Sequence, residues 1–239
     1  MLLFSQLEAN LVFFSGLGIL SLVPIKPADD KPRRLTNLEK SEFSLSEPLK
    51  EILVGSLLGD LHAEKQSVNV RLKFAQGILH ADYILQLYKL FQNFCPETPK
   101  IENSKPHRRT GKVYSSIYFR TYSLPCFNEL YELFYPEGKK IVPLNIGDLL
   151  TPLGLCYLIA DDGSCCKVRL IVTLCTESFT LAEVTLLANT LNDKWDLKCY
   201  INKTNNGGFR ILIPRKSLPV LQSLLKDIMP PMMLYKIGL

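Results

Sequence analysis

Leu53–Leu61, LVGSLLGDL, and Leu155–Gly163, LCYLIADDG, are apolar runs that each close on acid, with Asp60 and Asp162 as their penultimate residues. Before the first run, Ser46 is placed to cap a helix with Pro48 in its opening turn, and Leu49, Ile52, Leu53, Ser56 and Leu57 recur at spacings of three and four. This predicts a helix from Ser46 to about Gly59 and Asp60. The second run has the same grammar, with Thr151 as cap and Pro152 in the first turn. Both helices therefore end on an aspartate, and the two aspartates are 102 residues apart.

The segments after each run repeat as well. VNVRLKF (68–74) alternates as a strand, HADYILQLYKLFQNF (80–94) is an amphipathic helix, KVYSSIYFRT (112–121) a strand region and CFNELYELF (126–134) a short helix. In the second copy KVRLIVTL (167–174) reads as strand and TLAEVTLLANTLNDKW (180–195) as helix. KCYINK and FRILI then form a hairpin around the TNNGG turn, before a last helix, KSLPVLQSLLKDI (216–228). The order is helix, strand pair, helix, strand pair, helix, twice, with Val70-Arg71-Leu72 and Val168-Arg169-Leu170 set in corresponding strands. The expectation is an internal pseudo-dimer. Gly55, Gly59 and Gly154 would let the two acid-tipped helices approach closely along its axis.

With 239 residues, 47% apolar and 21% charged, the chain is long enough for one large domain or two that share an interface, and its composition excludes a disordered protein. A net charge of +5 is compatible with a polyanionic partner and does not require one. The seven cysteines lack C-x-x-C spacing, so buried reduced thiols are expected rather than a zinc knuckle. Residues 1–45 read as an N-terminal extension followed by a Pro-rich, charged linker. The apolar opening lacks the basic start of a secretory signal and is too interrupted to span a membrane, so no targeting signal and no membrane partner are expected. His62, His80 and His107 have no mutual ligand spacing, and Trp195 falls where packing would use it.

An aspartate at a helix C-terminus faces the negative end of the helix dipole, and two converging there repel each other. A divalent cation offsets both effects. Carboxylate oxygens suit magnesium, which commonly takes one or two carboxylates together with phosphate oxygens. The chemistry this points to is phosphodiester hydrolysis.

These residues resemble the LAGLIDADG homing endonucleases, specifically their single-chain members with two motifs. The likeness runs from about Ser46 to the C-terminus and includes PEGKKIVPLNI (136–146), the Leu150-Thr151-Pro152 opening of the second helix, ESFTLAEV (177–184) and PPMMLYKIGL (230–239). It departs in the second motif, where Leu158, Ile159 and Ala160 stand in place of bulkier aromatic residues. The resemblance implies an α+β fold of two pseudo-symmetric αββαββ half-domains, 46–145 and 146–239, forming a saddle over duplex DNA with the motif helices at their interface. It implies a metal-dependent DNA endonuclease that cuts both strands with magnesium. Asp60 and Asp162 would be catalytic metal ligands, with Lys140 and Lys236 beside them acting on water or developing phosphate charge, and Asp161 a helix-end neighbour. It further implies a monomer with internal two-fold pseudosymmetry and an intron-encoded, mitochondrial origin.

Strand alternation assigns the DNA surface. Arg71 with Lys73, and Lys167 with Arg169, share faces; Lys112 and Arg120 flank one strand region, and Lys203 and Arg210 flank the last hairpin turn. Two alternatives use the same fold: a maturase that binds group I intron RNA without cutting, and a DNA-binding regulator, which the absence of room for an added recognition domain disfavours. Retention of two mutually repelling acids favours cleavage.

Overall fold

The computed structural model describes residues 34–239, and the features expected of residues 1–33 lie outside them. Ordered structure starts earlier than Ser46. Helix α1 (Asn37–Ser41) is held by a reciprocal capping box between Thr36 and Glu39. Behind it Leu35, Phe43 and Leu45 pack on the core, with the Phe43 ring 5.7 Å from that of Phe94. The stretch expected to be linker thus joins the first half from residue 34 onward, because its few apolar residues meet an aromatic cluster.

The first acid-tipped helix is α2 (Glu47–Leu58), with Pro48 in its first turn and every residue from Ile52 to Leu58 buried. Strand β1 (His62–Gln66) comes at once and pairs antiparallel with β2 (Asn69–Gly77), whose core face is Val70, Leu72 and Phe74. Helix α3 (Ala81–Phe91) buries Tyr83, Ile84, Leu87 and Phe91 against this sheet. β3 (Lys100–Asn103) and β4 (Ser115–Arg120) complete it in the order β1-β2-β4-β3, and α4 (Asn128–Phe134) closes the unit. After the short α5 (Ile146–Leu149) comes the second acid-tipped helix, α6 (Pro152–Asp162), whose Thr151 hydroxyl accepts the Gly154 N–H at 3.2 Å. The sheet of β5 (Gly163–Cys166), β6 (Ile171–Leu174), β7 (Tyr200–Lys203) and β8 (Phe209–Ile213) repeats the topology as β5-β6-β8-β7, with α7 (Leu181–Trp195) and α8 (Leu218–Leu225) packed around it. The fold is the expected α+β one: two four-stranded antiparallel sheets, each entered directly from an acid-tipped helix.

One expected correspondence fails. Val168, Arg169 and Leu170 are not in a strand. With Lys167 they form the tight turn between β5 and β6, where Leu170 has φ +54°. The cause is the helix end: α6 passes into β5 at Gly163 without a linker, so Gly163–Cys166 becomes the first strand of the hairpin and the chain must reverse over the next four residues.

The two acid-tipped helices form the seam. Gly55 of α2 lies against Gly154 of α6 so closely that a Cβ at residue 55 would sit 1.9 Å from the Gly154 carbonyl oxygen. At the other end a Cβ at Gly59 would lie 2.6 Å from the Cβ of Asp161. The Thr151 hydroxyl also donates to Glu51 Oε2 at 2.5 Å, tying the N-terminal end of α6 to α2. Among the described residues no helix is long and apolar enough to cross a membrane.

Candidate active site and nucleic-acid interface

Asp60 and Asp162 come out of the seam at the same end. Gly59 stops α2 by leaving helical geometry, its N–H bonding the Gly55 and Ser56 carbonyls, and Asp60 stands exposed just beyond. Asp162 is the last residue of α6, partly buried, its carbonyl accepting the Cys175 N–H at 3.0 Å. The two are held differently. The Asp60 carboxylate accepts a hydrogen bond from Gln76 Nε2 at 2.6 Å. The Asp162 neighbour, Asp161, accepts one from the Tyr83 hydroxyl at 2.7 Å.

Each helix end also receives a lysine, Lys140 partly buried and Lys236 buried. Lys140 Nζ donates to the carbonyls of Gly59 and Leu61 at 2.6 and 3.0 Å, and Lys236 Nζ to those of Ala160 and Asp161 at 2.5 and 2.8 Å. Both expected lysines are therefore drawn into the site, where they cap the negative ends of the two helices. Lys236 is only 8% exposed.

Electrostatics show how crowded the charges are. Burial and then the charge of Asp60 push the Asp162 carboxyl up to about 7, against Lys140 and Lys236, which hold it down. Asp161 is pushed up to about 8, again chiefly by burial. Burial lowers both lysines, while the three aspartates draw them back up. Tyr83 rises well above the usual phenol range through burial and the adjacent Asp161.

This donor set fits a cation shared with a phosphate ligand. The carboxylates repel, so bound positive charge is what would let both ionise together. Among the described residues no three His, Cys, Asp or Glu side chains gather as a metal cage. Asp60 and Asp162 are the side chains that would hold such a cation, a donor set of carboxylates compatible with an ion that keeps most of its waters.

The face of the first sheet away from the core carries Arg71 and Lys73 on β2 and Arg120 on β4, with Lys73 directly opposite Arg120 in register. Tyr118 lies between them, its ring centre 5.3 Å from Lys73 Nζ and 4.7 Å from the Arg120 guanidinium. Arg71 pairs with Glu64 at 2.5 Å. Lys112 sits outside the sheet, on the exposed hairpin tip with Lys105, Arg108 and Arg109. In the second sheet Arg210 faces outward and pairs with Glu177, whose charge is also felt by Asp162. Lys203 stands opposite Phe209 at the end of β7, on the core side of the sheet, so it does not share a face with Arg210. Lys167 and Arg169 project from the β5–β6 turn.

Three residues of this site escape sequence reasoning: Gln76, Tyr83 and Glu177. Gln76 had a signal, because it occupies the core parity of β2 after Val70, Leu72 and Phe74, where an apolar residue is due. Tyr83 had a weaker one: a fully buried tyrosine must find a partner for its hydroxyl. Glu177 had none.

Comparison with known proteins bears on this arrangement. The chain is 34% identical over 200 residues to a cytochrome b mRNA maturase, bI2, of Debaryomyces hansenii, covering 81% of this chain and 75% of that protein. It is 27% identical to the DNA endonuclease I-ChuI of Chlamydomonas applanata over 82% of this chain and 97% of that one. The homing endonuclease I-WcaI, solved bound to its DNA recognition sequence, superposes with a TM-score of 0.76 at 27% identity, over 82% of this chain and 88% of that one. A family model, the LAGLIDADG DNA endonuclease family, matches residues 50–221, which include both motifs and both sheets, and the chain belongs to that family.

Proposed function

We propose that the protein is a site-specific double-strand DNA endonuclease of the homing type, with Asp60 and Asp162 each serving one scissile phosphate. The observation that carries this reading is the emergence of both acids at one end of the glycine-tight seam, each beside a lysine that caps its helix. Magnesium held by Asp60 and Asp162, when bound, would polarise the phosphoryl oxygen and favour hydroxide from bound water. Gln76 fixes the direction of the Asp60 carboxylate. Lys140 and Lys236 cancel the helix-end charge that would otherwise oppose two ionised acids and an incoming phosphate. Arg71, Lys73 and Arg120 lie where one half of a duplex would rest, and the residues around the β5–β6 turn, with Arg210, where the other half would. Internal pseudosymmetry supplies both halves of the site, so the active form is a monomer.

The test is cleavage, with magnesium, of DNA spanning the uninterrupted insertion site of the host intron. The native protein cuts both strands, and Asp60→Asn and Asp162→Asn each abolish the double-strand break. A folded native protein that binds this DNA and leaves it intact would refute the nuclease.

A second reading is favoured by the 34% identity to a maturase: the same basic surfaces assisting splicing of intron RNA. Tight binding of the intron transcript, unaffected by Asp60→Asn, would support it. An intron-encoded protein of this kind would act in mitochondria.

A further inference from the structure

The two halves place different residues at the inner corner of the seam. Gly59 and Asp161 are 102 residues apart, the same offset as Asp60 and Asp162, so the glycine that caps α2 stands where α6 carries an acid. The missing side chain at Gly59 makes room for the Asp161 carboxyl, whose Oδ2 would lie 3.0 Å from a Cβ there. The other oxygen, Oδ1, accepts the hydroxyl of Tyr83, which arrives on α3 from the opposite half. Tyr83 is fully buried and its ring stacks on that of Tyr157 of α6, with centroids 6.4 Å apart and planes inclined by 30°. The hydroxyl is thus aimed by packing and not by chance rotation.

Resting on the nuclease reading above, we propose that Tyr83 and Asp161 are a positioning pair for the Asp162 centre alone. Asp60 is oriented directly, through Gln76. Asp162 is oriented through its chain neighbour: Tyr83 anchors the side chain of Asp161, Lys236 anchors the carbonyls of Ala160 and Asp161, and Cys175 anchors the carbonyl of Asp162. Removing the Tyr83 hydroxyl frees the last turn of α6 at one corner and breaks no hydrogen bond of Asp60, Gln76 or Lys140. The two strands of the target should then be cut at unequal rates.

The experiment compares native protein, Tyr83→Phe, Asp161→Asn and Asp161→Leu on DNA labelled separately on each strand, under single turnover with magnesium. Tyr83→Phe is expected to slow one strand about tenfold and the other less than twofold, so that nicked DNA accumulates. Asparagine keeps an acceptor for Tyr83 and should retain balanced cutting, whereas leucine should reproduce the nick. Equal slowing of both strands, or none, overturns the proposal. A parallel titration with Mn2+, followed by electron paramagnetic resonance, reads metal binding without cleavage. Tyr83→Phe should weaken one class of bound Mn2+ and spare the other. If native protein cut neither strand, the nuclease reading would fall on that result, and the titration would still decide this one: weakening of both classes, or of neither, refutes it.

Discussion

Gly55 and Gly154 meet backbone to backbone across the seam, but the two contacts are not equivalent. A Cβ on Gly55 would fall 1.9 Å from the Gly154 carbonyl oxygen, whereas one on Gly154 would find its nearest atom, the Glu51 carbonyl oxygen, at 3.1 Å. Gly55→Ala must drive the helices apart. It should cost about 3 kcal/mol or more and abolish cleavage, because both acids ride on this contact. Gly154→Ala should lose about 1 kcal/mol or less and retain activity. Thermal melting and cleavage of the two variants side by side check the difference.

Lys236 closes α6 from the last few residues of the chain. Its Nζ bonds two carbonyls in a nearly water-free position, so Lys236→Met strands both oxygens and removes the cation nearest Asp161. The expected loss is about 2 kcal/mol of stability, with about a hundredfold in the cleavage rate. Retention of full cleavage by a Lys236→Met protein of reduced melting temperature would confine the lysine to the scaffold.

The acid cluster sets an unusual pH dependence. Asp161 and Asp162 are pushed up to about 8 and about 7 in the folded protein, above the ordinary 3.8. Between these limits the fold holds protons that the unfolded chain has released. Their contribution is therefore full below about pH 4 and is lost as pH rises through 7 to 8. The metal-free protein should melt at lower temperature at pH 8.5 than at pH 6. Asp161→Asn should narrow that gap, and magnesium should raise the melting temperature more at pH 8.5, where the ionised ligands are available.

Much of this was legible in residue order, for identifiable reasons. The seam helices announce themselves through Ser46, Pro48, Thr151 and Pro152, and their glycines through the close approach they permit. The strands that were located, such as β2 and β8, bury alternate residues. Those that were missed do not: β3 is exposed at every position, β1 is mostly polar, and β5 is four small residues fused to a helix end. Placing Arg169 on a strand followed from that last omission. The candidate site was legible where chemistry repeats, at Asp60 and Asp162, whereas Lys140 and Lys236 came only through the family resemblance. It was faint at Tyr83 and illegible at Glu177, whose partners are set by folding across 78 and 33 residues.

The β3–β4 hairpin makes the two halves unequal toward DNA. Its tip exposes Lys105, Arg108, Arg109 and Lys112 on a frame closed by Ser104 N–H to Tyr114 O at 2.8 Å and His107 N–H to Lys112 O at 2.9 Å. The corresponding β7–β8 turn, Thr204–Gly208, has no lysine or arginine. Each phosphate neutralised contributes about 0.9 to the slope of log affinity against log salt. Replacing the four cations with alanine should therefore flatten that slope by about 3 to 4 and leave base preference unchanged, because contacts of this kind fix position and not sequence. Nuclease protection should retreat at one end of the target only. Symmetrical retreat, or an unchanged slope, would mean that the first hairpin tip does not touch the duplex and that the sheet faces alone hold it.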